Sequence, residues 1–207
     1  MRRNSRASTD RNSRRQVIPE LSKRDHEGSL VVLGVDPGTL ITGYGIVEKK
    51  GPDVRMLGSG IIVNQSSASM PARLHKIYSG LLTVITHFHP DEFAIEAAFY
   101  SKNAQSALKL GHARGVSMLA AEVQGIPTSE YSPREVKKAV VGNGTASKEQ
   151  VQYMIRSLLH LRDARMAMDI SDALAVAICH LHRLLLPGKK RKDWKSFVTA
   201  HPERLVQ

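Results

Sequence analysis

Apolar residues between positions 30 and 88 first form alternating or β-branched runs and then recur every three or four residues. Prolines and glycines at 37–38 and 51–52 interrupt the first part, which is typical of strands joined by tight turns. The helical spacing over 70–88 ends just before Pro90, a residue that favours a helix end. The expected strands of this part are 30–36, 43–49 and 56–63. We therefore predict a three-stranded antiparallel meander followed by a long helix.

The rest of the chain is predicted to alternate between helices and short buried strands. The expected strands are 92–96 and 127–131, and the expected helices are 103–124, 133–141, 147–161 and 169–186. The N-cap of the next helix is expected at Ala146 or Ser147, and glycines at 142 and 144 end the helix before it. Strands first, then alternating helices and strands, predict an α/β fold with one mixed sheet covered by helices.

Length and composition suit one globular domain between two tails. The 207 residues are enough for a substantial core, and 42% apolar residues is an ordinary fraction. Residues 1–29 are polar and lack periodicity, so we expect a disordered extension, a domain at 30–187 and a tail at 188–207. No run suits a membrane span or a signal peptide. The single cysteine, Cys179, excludes an internal disulfide or a cysteine-based zinc cluster, and a cytoplasmic location fits.

The net charge of +11 is concentrated in the tails. Residues 1–29 carry +4, from eight basic and four acidic residues, and residues 188–207 carry +4, from six and two. The part between them is nearly balanced, at +3. Basic tails around a balanced core suggest a polyanionic partner. Tails that only aid solubility are the alternative.

Four acidic residues in three places carry the clearest chemical signal. Asp36 closes the apolar run 30–35, and Glu96 closes a later buried strand. Asp169 and Asp172 lie three residues apart at the start of the last helix, so both face one side. Carboxylates are costly to bury alone, but four in one cleft would hold divalent cations. Two such ions about 3.5–4 Å apart promote in-line attack on a phosphodiester.

Each acid also has a structural explanation. Asp36 begins Asp-Pro-Gly, an ordinary hairpin turn, and Glu96 could face solvent at a sheet edge. The two later aspartates could cap their helix and interact with its dipole. The glycines of this turn and of the strand after it, at 38, 43 and 45, are expected to let a phosphate or metal approach the backbone closely.

Three more residues are candidates for contact with nucleic acid. Lys137 and Lys148 could neutralise charge that develops on a phosphate, although solvated helix lysines are common. Phe99 follows Glu96 closely and could stack on a splayed base, or else be buried in the core. The helix at 103–124 has a face of small residues that permits close packing, either internally or with a second subunit.

These segments resemble the RuvC family of crossover junction endodeoxyribonucleases, in the RNase H-like superfamily. The resemblance covers about residues 30–183, and its most specific parts are 101–115 and the Asp-x-x-Asp-Ala-Leu-Ala at 169–175. Matching stretches also occur at 34–38, 42–45, 93–96 and 136–142. Two features depart from the family: the 29-residue extension, and Ile170-Ser171 in place of small residues between the two acids.

The resemblance implies an RNase H-like fold and a set of metal-binding catalytic acids: Asp36, Glu96, Asp169 and Asp172. Lys137 and Lys148 then match basic residues that assist phosphate handling, and Phe99 matches an aromatic that stacks on an unpaired base. Two Mg²⁺ ions per subunit are implied, with Mn²⁺ able to substitute. The implied protein is a homodimer that works beside the RuvA–RuvB branch-migration complex. It nicks opposed strands of a Holliday junction at a thymine-containing sequence, in recombination and repair, leaving 5′-phosphate and 3′-hydroxyl ends.

Three other functions compete with this one. An actin-like sugar or acetate kinase shares the Asp-x-Gly-Thr turn, but it needs a second domain and does not predict the acids at 169 and 172. A catalytically silent DNA-binding relative would have lost acids that are present here. An RNase H-like ribonuclease would use the same metal site on RNA or hybrids, and the match at 101–115 favours the junction enzyme over it.

Overall fold

The computed structural model describes residues 28–97, 104–161 and 166–185. The expected extension up to residue 27 and the expected tail at 188–207 lie outside the described residues. The strands are β1 (Ser29–Asp36), β2 (Ile41–Lys50), β3 (Asp53–Val63), β4 (Glu92–Glu96) and β5 (Thr128–Tyr131). The helices are α1 (Met70–Phe88), α2 (Ala104–Glu122), α3 (Pro133–Val141), α4 (Lys148–Leu158) and α5 (Met168–Leu185). Within these ranges, no helix is long and apolar enough to cross a membrane.

The five strands form one mixed sheet in the order β3-β2-β1-β4-β5. β1, β2 and β3 are antiparallel neighbours, whereas β4 and β5 run parallel to β1. The predicted α/β architecture, a three-stranded meander extended by parallel strands, is confirmed. Because β1, β4 and β5 are parallel, their carboxyl ends lie at the same edge of the sheet, where open α/β sheets place ligands.

Helices cover both faces of the sheet, and alternate residues of each strand face opposite layers. α1 and α2 pack on one face, where the buried β1 residues are Val31, Leu33 and Val35. α3, α4 and α5 pack on the other face, over Val32 and its neighbours. Gly34 allows α5 to lie directly on β1, because a methyl group there would overlap the α5 main chain. The sheet therefore fixes the position of α5 closely.

Most helix ends follow local sequence signals, but α2 and α4 end early: α2 ends at Glu122, two residues before the expected end at 124. Ser132 and Ser147 each form a capping box at the start of α3 and α4, which confirms Ser147 as an N-cap. α4 ends at Leu158, three residues before the expected end at 161. His160 adopts a left-handed conformation with φ of 52°, and this stops the helix early. Among the strands, β1 begins at Ser29, one residue before its expected start.

Candidate active site

Asp36 and Glu96 meet at the carboxyl ends of two neighbouring strands. β1 and β4 run parallel with Val35 opposite Ile95, so the next residue of each strand is an acid on the same face. β4 is an inner strand, so Glu96 is not the edge residue of the alternative explanation. The two carboxyl groups share a hydrogen bond. They begin an acidic cluster at the sheet edge.

Burial and mutual repulsion change the protonation of this pair. Burial, followed by the charges of Glu96 and Asp172, raises the pKa of Asp36 to about 8. Burial also raises the pKa of Glu96, and the charge of Asp172 adds to that rise. Because two adjacent buried carboxylates cannot easily both be ionised, the pair shares one proton at neutral pH.

α5 brings Asp169 and Asp172 to the same edge. Asp169 is in the first turn of α5 and lies over Gly43, the residue that pairs with Asp36 in the β1–β2 ladder. The charges of Asp172 and Asp169 both contribute to the raised pKa of Asp36. The predicted acids, which come from three distant parts of the sequence, therefore converge on one place.

The space beside the glycines of β2 is occupied by this helix. A methyl group on Gly43 would overlap the main-chain carbonyl of Asp169, and one on Gly45 would overlap the side chain of Leu174. The expectation that these glycines admit a phosphate or a metal is therefore wrong. They admit α5, and alternating glycines inside a strand are the signal that another backbone approaches closely.

Both predicted lysines lie near the acids. The Lys148 ammonium Nζ is 2.7 Å from Asp172 Oδ2, and this hydrogen bond raises the pKa of Lys148. Lys148 is the first residue of α4, so the Ser147 capping box fixes the point from which its side chain extends. The charges of Lys148 and Lys137 partly offset the rise in the pKa of Glu96. The two lysines, predicted from the sequence as phosphate contacts, are thus also cationic partners of the acids.

The four carboxylates are suitable ligands for divalent cations, although their side chains do not already surround a cation position. Four carboxylates are the hard oxygen ligands that Mg²⁺ and Mn²⁺ prefer, and their repulsion is what a cation would relieve. Within the described ranges, no three His, Cys, Asp or Glu side chains already surround a metal-sized position. The Asp36–Glu96 hydrogen bond and the Lys148–Asp172 ion pair hold the carboxylates instead. A bound cation would have to replace both.

One predicted residue is not described by the structure, and one residue near the site was not predicted. Phe99, the predicted stacking residue, lies outside the described residues. Gln152 was not predicted: its side-chain amide donates to the Met166 carbonyl at 3.0 Å and supports the segment just before α5. In the sequence, Gln152 could have been linked to the site only through Lys148, which lies four residues earlier on the same helix face.

Gly43→Ala is expected to disturb the acidic cluster more than an equivalent change nearby. The added methyl must push Asp169 away from the sheet, at a cost of about 1–3 kcal/mol in the free energy of unfolding. Gly45→Ala is the matched control, because its methyl meets the Leu174 side chain and not the acid. Thermal unfolding should show losses in both variants, whereas calorimetry should show weakened Mn²⁺ binding only for Gly43→Ala. Equal Mn²⁺ affinities for the two variants would contradict this placement of Asp169.

Comparison with known proteins identifies close relatives. The family described as crossover junction endodeoxyribonuclease RuvC matches residues 32–180. The RuvC of Pelobacter propionicus is 54% identical over 151 residues, covering 73% of this chain and 85% of that protein. The RuvC of Salinibacter ruber is 45% identical over 179 residues, covering 86% of this chain and all of that protein. T. thermophilus RuvC in complex with a Holliday junction substrate superposes with a TM-score of 0.71 at 34% identity, covering 75% of this chain and 94% of that one.

Proposed function

This chain belongs to the RuvC family of crossover junction endodeoxyribonucleases, and we propose that it resolves Holliday junctions by hydrolysing phosphodiesters on opposed strands. The observation that carries the proposal is the convergence of the four acids at the carboxyl edge of the sheet. The named activity of its relatives supplies the substrate. The solved T. thermophilus relative was captured with a Holliday junction substrate.

We propose that Asp36, Glu96, Asp169 and Asp172 hold two divalent cations, Mg²⁺ or Mn²⁺. When bound, these ions would supply Lewis-acid stabilisation of the phosphate and a lowered pKa for the attacking water. The chain's own contribution is a half-buried edge formed by two parallel strands and the first turn of α5. The proton shared by Asp36 and Glu96 must leave before both can act as ligands.

Lys148 is proposed to stabilise charge on the scissile phosphate once Asp172 binds a cation and no longer pairs with Lys148. Its side chain is 62% exposed, so it can turn from Asp172 to a substrate without unfolding anything. Lys137 is proposed to assist from α3, because its charge already acts on Glu96. Phe99 remains the proposed stacking residue.

Lys148→Met is expected to lower the cleavage rate at saturating junction by about 10- to 100-fold, since one charge-stabilising donor is lost. The thermal midpoint should fall only moderately: Lys148 is mostly exposed, but Asp172 is 18% exposed and loses its cationic partner. Lys138→Met is the matched control: Lys138 is exposed on α3, one residue from Lys137. Single-turnover cleavage assays on a four-way junction would measure both. A Lys148→Met protein as fast as Lys138→Met would remove Lys148 from the mechanism.

Two opposed cuts require two active sites, and we propose a homodimer formed through α2. Large apolar residues stand on the exposed side of this helix: Leu108 and Leu119 are more than half exposed, and so is Val123, the residue just after its end. Gly111 and Gly115 lie between them, with open space where a side chain would be. An apolar stripe with small residues at its centre allows a second helix to approach closely.

Leu119→Glu is expected to convert the dimer to a monomer, because it places a charge within this apolar stripe. A disrupted interface hot spot should raise the dimer dissociation constant at least about 30-fold. Tyr153→Glu on α4 is the control, since Tyr153 is an exposed aromatic residue on another helix. Analytical ultracentrifugation gives the assembly state, and paired cutting on a junction gives its consequence. A Leu119→Glu protein that still sediments as a dimer would exclude α2 as the interface.

The proposed substrate is tested with three labelled nucleic acids in Mg²⁺: a mobile four-way junction, a linear duplex and an RNA–DNA hybrid. We expect cutting of the junction alone, on opposed strands. Cutting of the hybrid would favour an RNase H-like ribonuclease, the second candidate for this acidic site.

Three further features are proposed. The basic tails attract DNA without regard to sequence. The RuvA–RuvB complex is the partner, and the protein acts in the cytoplasm on recombination and repair intermediates.

A further inference from the structure

A buried polar contact links α5 to the two strands beside the acidic cluster. His180 of α5 is only 1% exposed, and its Nδ1 lies 2.8 Å from the Tyr131 hydroxyl at the end of β5. Its other nitrogen, Nε2, lies 3.4 Å from a carboxylate oxygen of Glu92 at the start of β4. We call these three residues the Glu92–His180–Tyr131 clamp.

The hydrogen-bonding roles in the clamp follow from its surroundings. Burial lowers the pKa of His180 and raises that of Tyr131, so both are neutral at physiological pH. A neutral imidazole carries one N–H, and the carboxylate beside Nε2 favours the proton there. Nδ1 is then the acceptor and the Tyr131 hydroxyl donates to it. The Tyr131–His180 hydrogen bond is therefore directional in a way that apolar packing is not, whereas Nε2 has no hydrogen-bond partner among the described residues and meets Glu92 only as a neighbouring charge.

Distances along the two elements show what the clamp can fix. From Asp172 to His180 is eight helical residues, about 12 Å along α5. From Glu92 to Glu96 is four strand residues, about 13 Å along β4. α5 and β4 run in opposite directions here, because the start of α5 lies near the end of β4. With His180 beside Glu92, these similar lengths bring Asp172 towards Glu96, whose pKa its charge raises.

Tyr131 connects the clamp directly to Glu96. The two residues are opposite each other in the parallel β4–β5 pairing, so their side chains lie on the same face. The Tyr131 carbonyl also accepts a hydrogen bond of 2.7 Å from the amide of Ala97, just beyond Glu96. A one-residue slip of α5 along the sheet would move its acids by about 1.5 Å and break the Tyr131–His180 hydrogen bond.

We propose that Tyr131 and His180 are positioning residues that hold α5 where Asp169 and Asp172 face Asp36 and Glu96. The proposal rests on the proposed function, in which those four acids bind the cations. It assigns a role to the buried Tyr131–His180 hydrogen bond, which joins the end of β5 to a point on α5 eight residues beyond Asp172. Site geometry, rather than global stability, is what the clamp controls.

Tyr131→Phe tests the proposal because it removes only the hydroxyl. Ser117→Ala is the matched control: it removes another buried hydroxyl, which bonds the Ala113 carbonyl inside α2, far from the clamp. We expect similar decreases in thermal midpoint for the two variants. Only Tyr131→Phe should weaken Mn²⁺ binding without DNA, by about three- to tenfold, and lower kcat on the junction while leaving KM nearly unchanged. Glu92→Gln, at a half-buried position, is a second variant that should act in the same direction.

Hydrogen exchange gives a readout that does not depend on metal or cleavage. The amides at the start of α5 should exchange faster in Tyr131→Phe than in Ser117→Ala at equal global stability. Wild-type Mn²⁺ affinity and unchanged α5 exchange in Tyr131→Phe would overturn the clamp proposal. If wild-type protein neither binds Mn²⁺ nor cuts the junction, the proposed function fails, and the exchange comparison still decides whether the clamp positions α5.

Discussion

Asp36→Asn should abolish junction cleavage while leaving junction binding intact. Asp36 is the central acid of the cluster: it shares a hydrogen bond with Glu96, and the charges of Asp172 and Asp169 act on it. An amide has the same shape but lacks the charge that would bind a cation, so cleavage should fall roughly 10³-fold or more. Binding should persist because the lysines and other basic groups are unchanged. Single-turnover cleavage in Mg²⁺ and gel-shift assays without divalent ions would measure the two effects.

Asp91→Asn is the control for this variant. Asp91 precedes β4 at the opposite end of the sheet, where its carboxylate accepts a hydrogen bond of 2.7 Å from the Val31 amide. Its loss should cost about 1 kcal/mol in the free energy of unfolding and leave the cleavage rate within about twofold. Retention of more than about a hundredth of the wild-type rate by Asp36→Asn would exclude Asp36 as a metal ligand. Loss of activity in both variants would point to a folding defect.

The elements of the fold were predictable where local signals agree. α1 was predicted at its observed bounds because its apolar spacing is regular and Pro90 follows it. The strand Glu92–Glu96 and the helix Pro133–Val141 also match, since turn and cap residues mark their ends. The end of α4 was not predictable, because a left-handed histidine at position 160 carries no signal as strong as glycine. Local sequence patterns thus predict which helices and strands form better than they predict where a helix ends.

The acidic cluster was only partly predictable from the sequence. Strand ends and the three-residue spacing identified the acids, but not their partners. Lys148 and Asp172 are 24 residues apart, and Tyr131 and His180 are 49 apart, so no local period connects them. The β2 glycines gave a real signal of close approach, but the sequence did not say that a helix and not a ligand fills the space. Such contacts depend on how α5 packs, which is a tertiary property.

The metal-free protein should lose stability as pH rises from about 4 to about 8. Folding raises the pKa of Asp36 from 3.8 to about 8, chiefly through burial, so in this window the folded chain keeps a proton that the unfolded chain has released. Stability then falls with pH, because it rises only where the unfolded state binds more protons. The contribution of Asp36 is fully present below pH 3.8 and is lost by about pH 8. Thermal unfolding in a chelator would measure the slope, and Asp36→Asn should flatten it.

Divalent cations should reverse this trend, because in the proposed function they bind the deprotonated cluster. A cation that displaces the shared proton binds more tightly as pH rises, up to tenfold per pH unit for each proton released, and the gain should end above about pH 8. The Mg²⁺-induced rise in thermal midpoint should therefore be larger at pH 8 than at pH 6. Calorimetry in buffers of different ionisation enthalpy would count the protons released. An affinity for Mg²⁺ that is independent of pH would mean that the Asp36–Glu96 pair does not give up its proton to the metal.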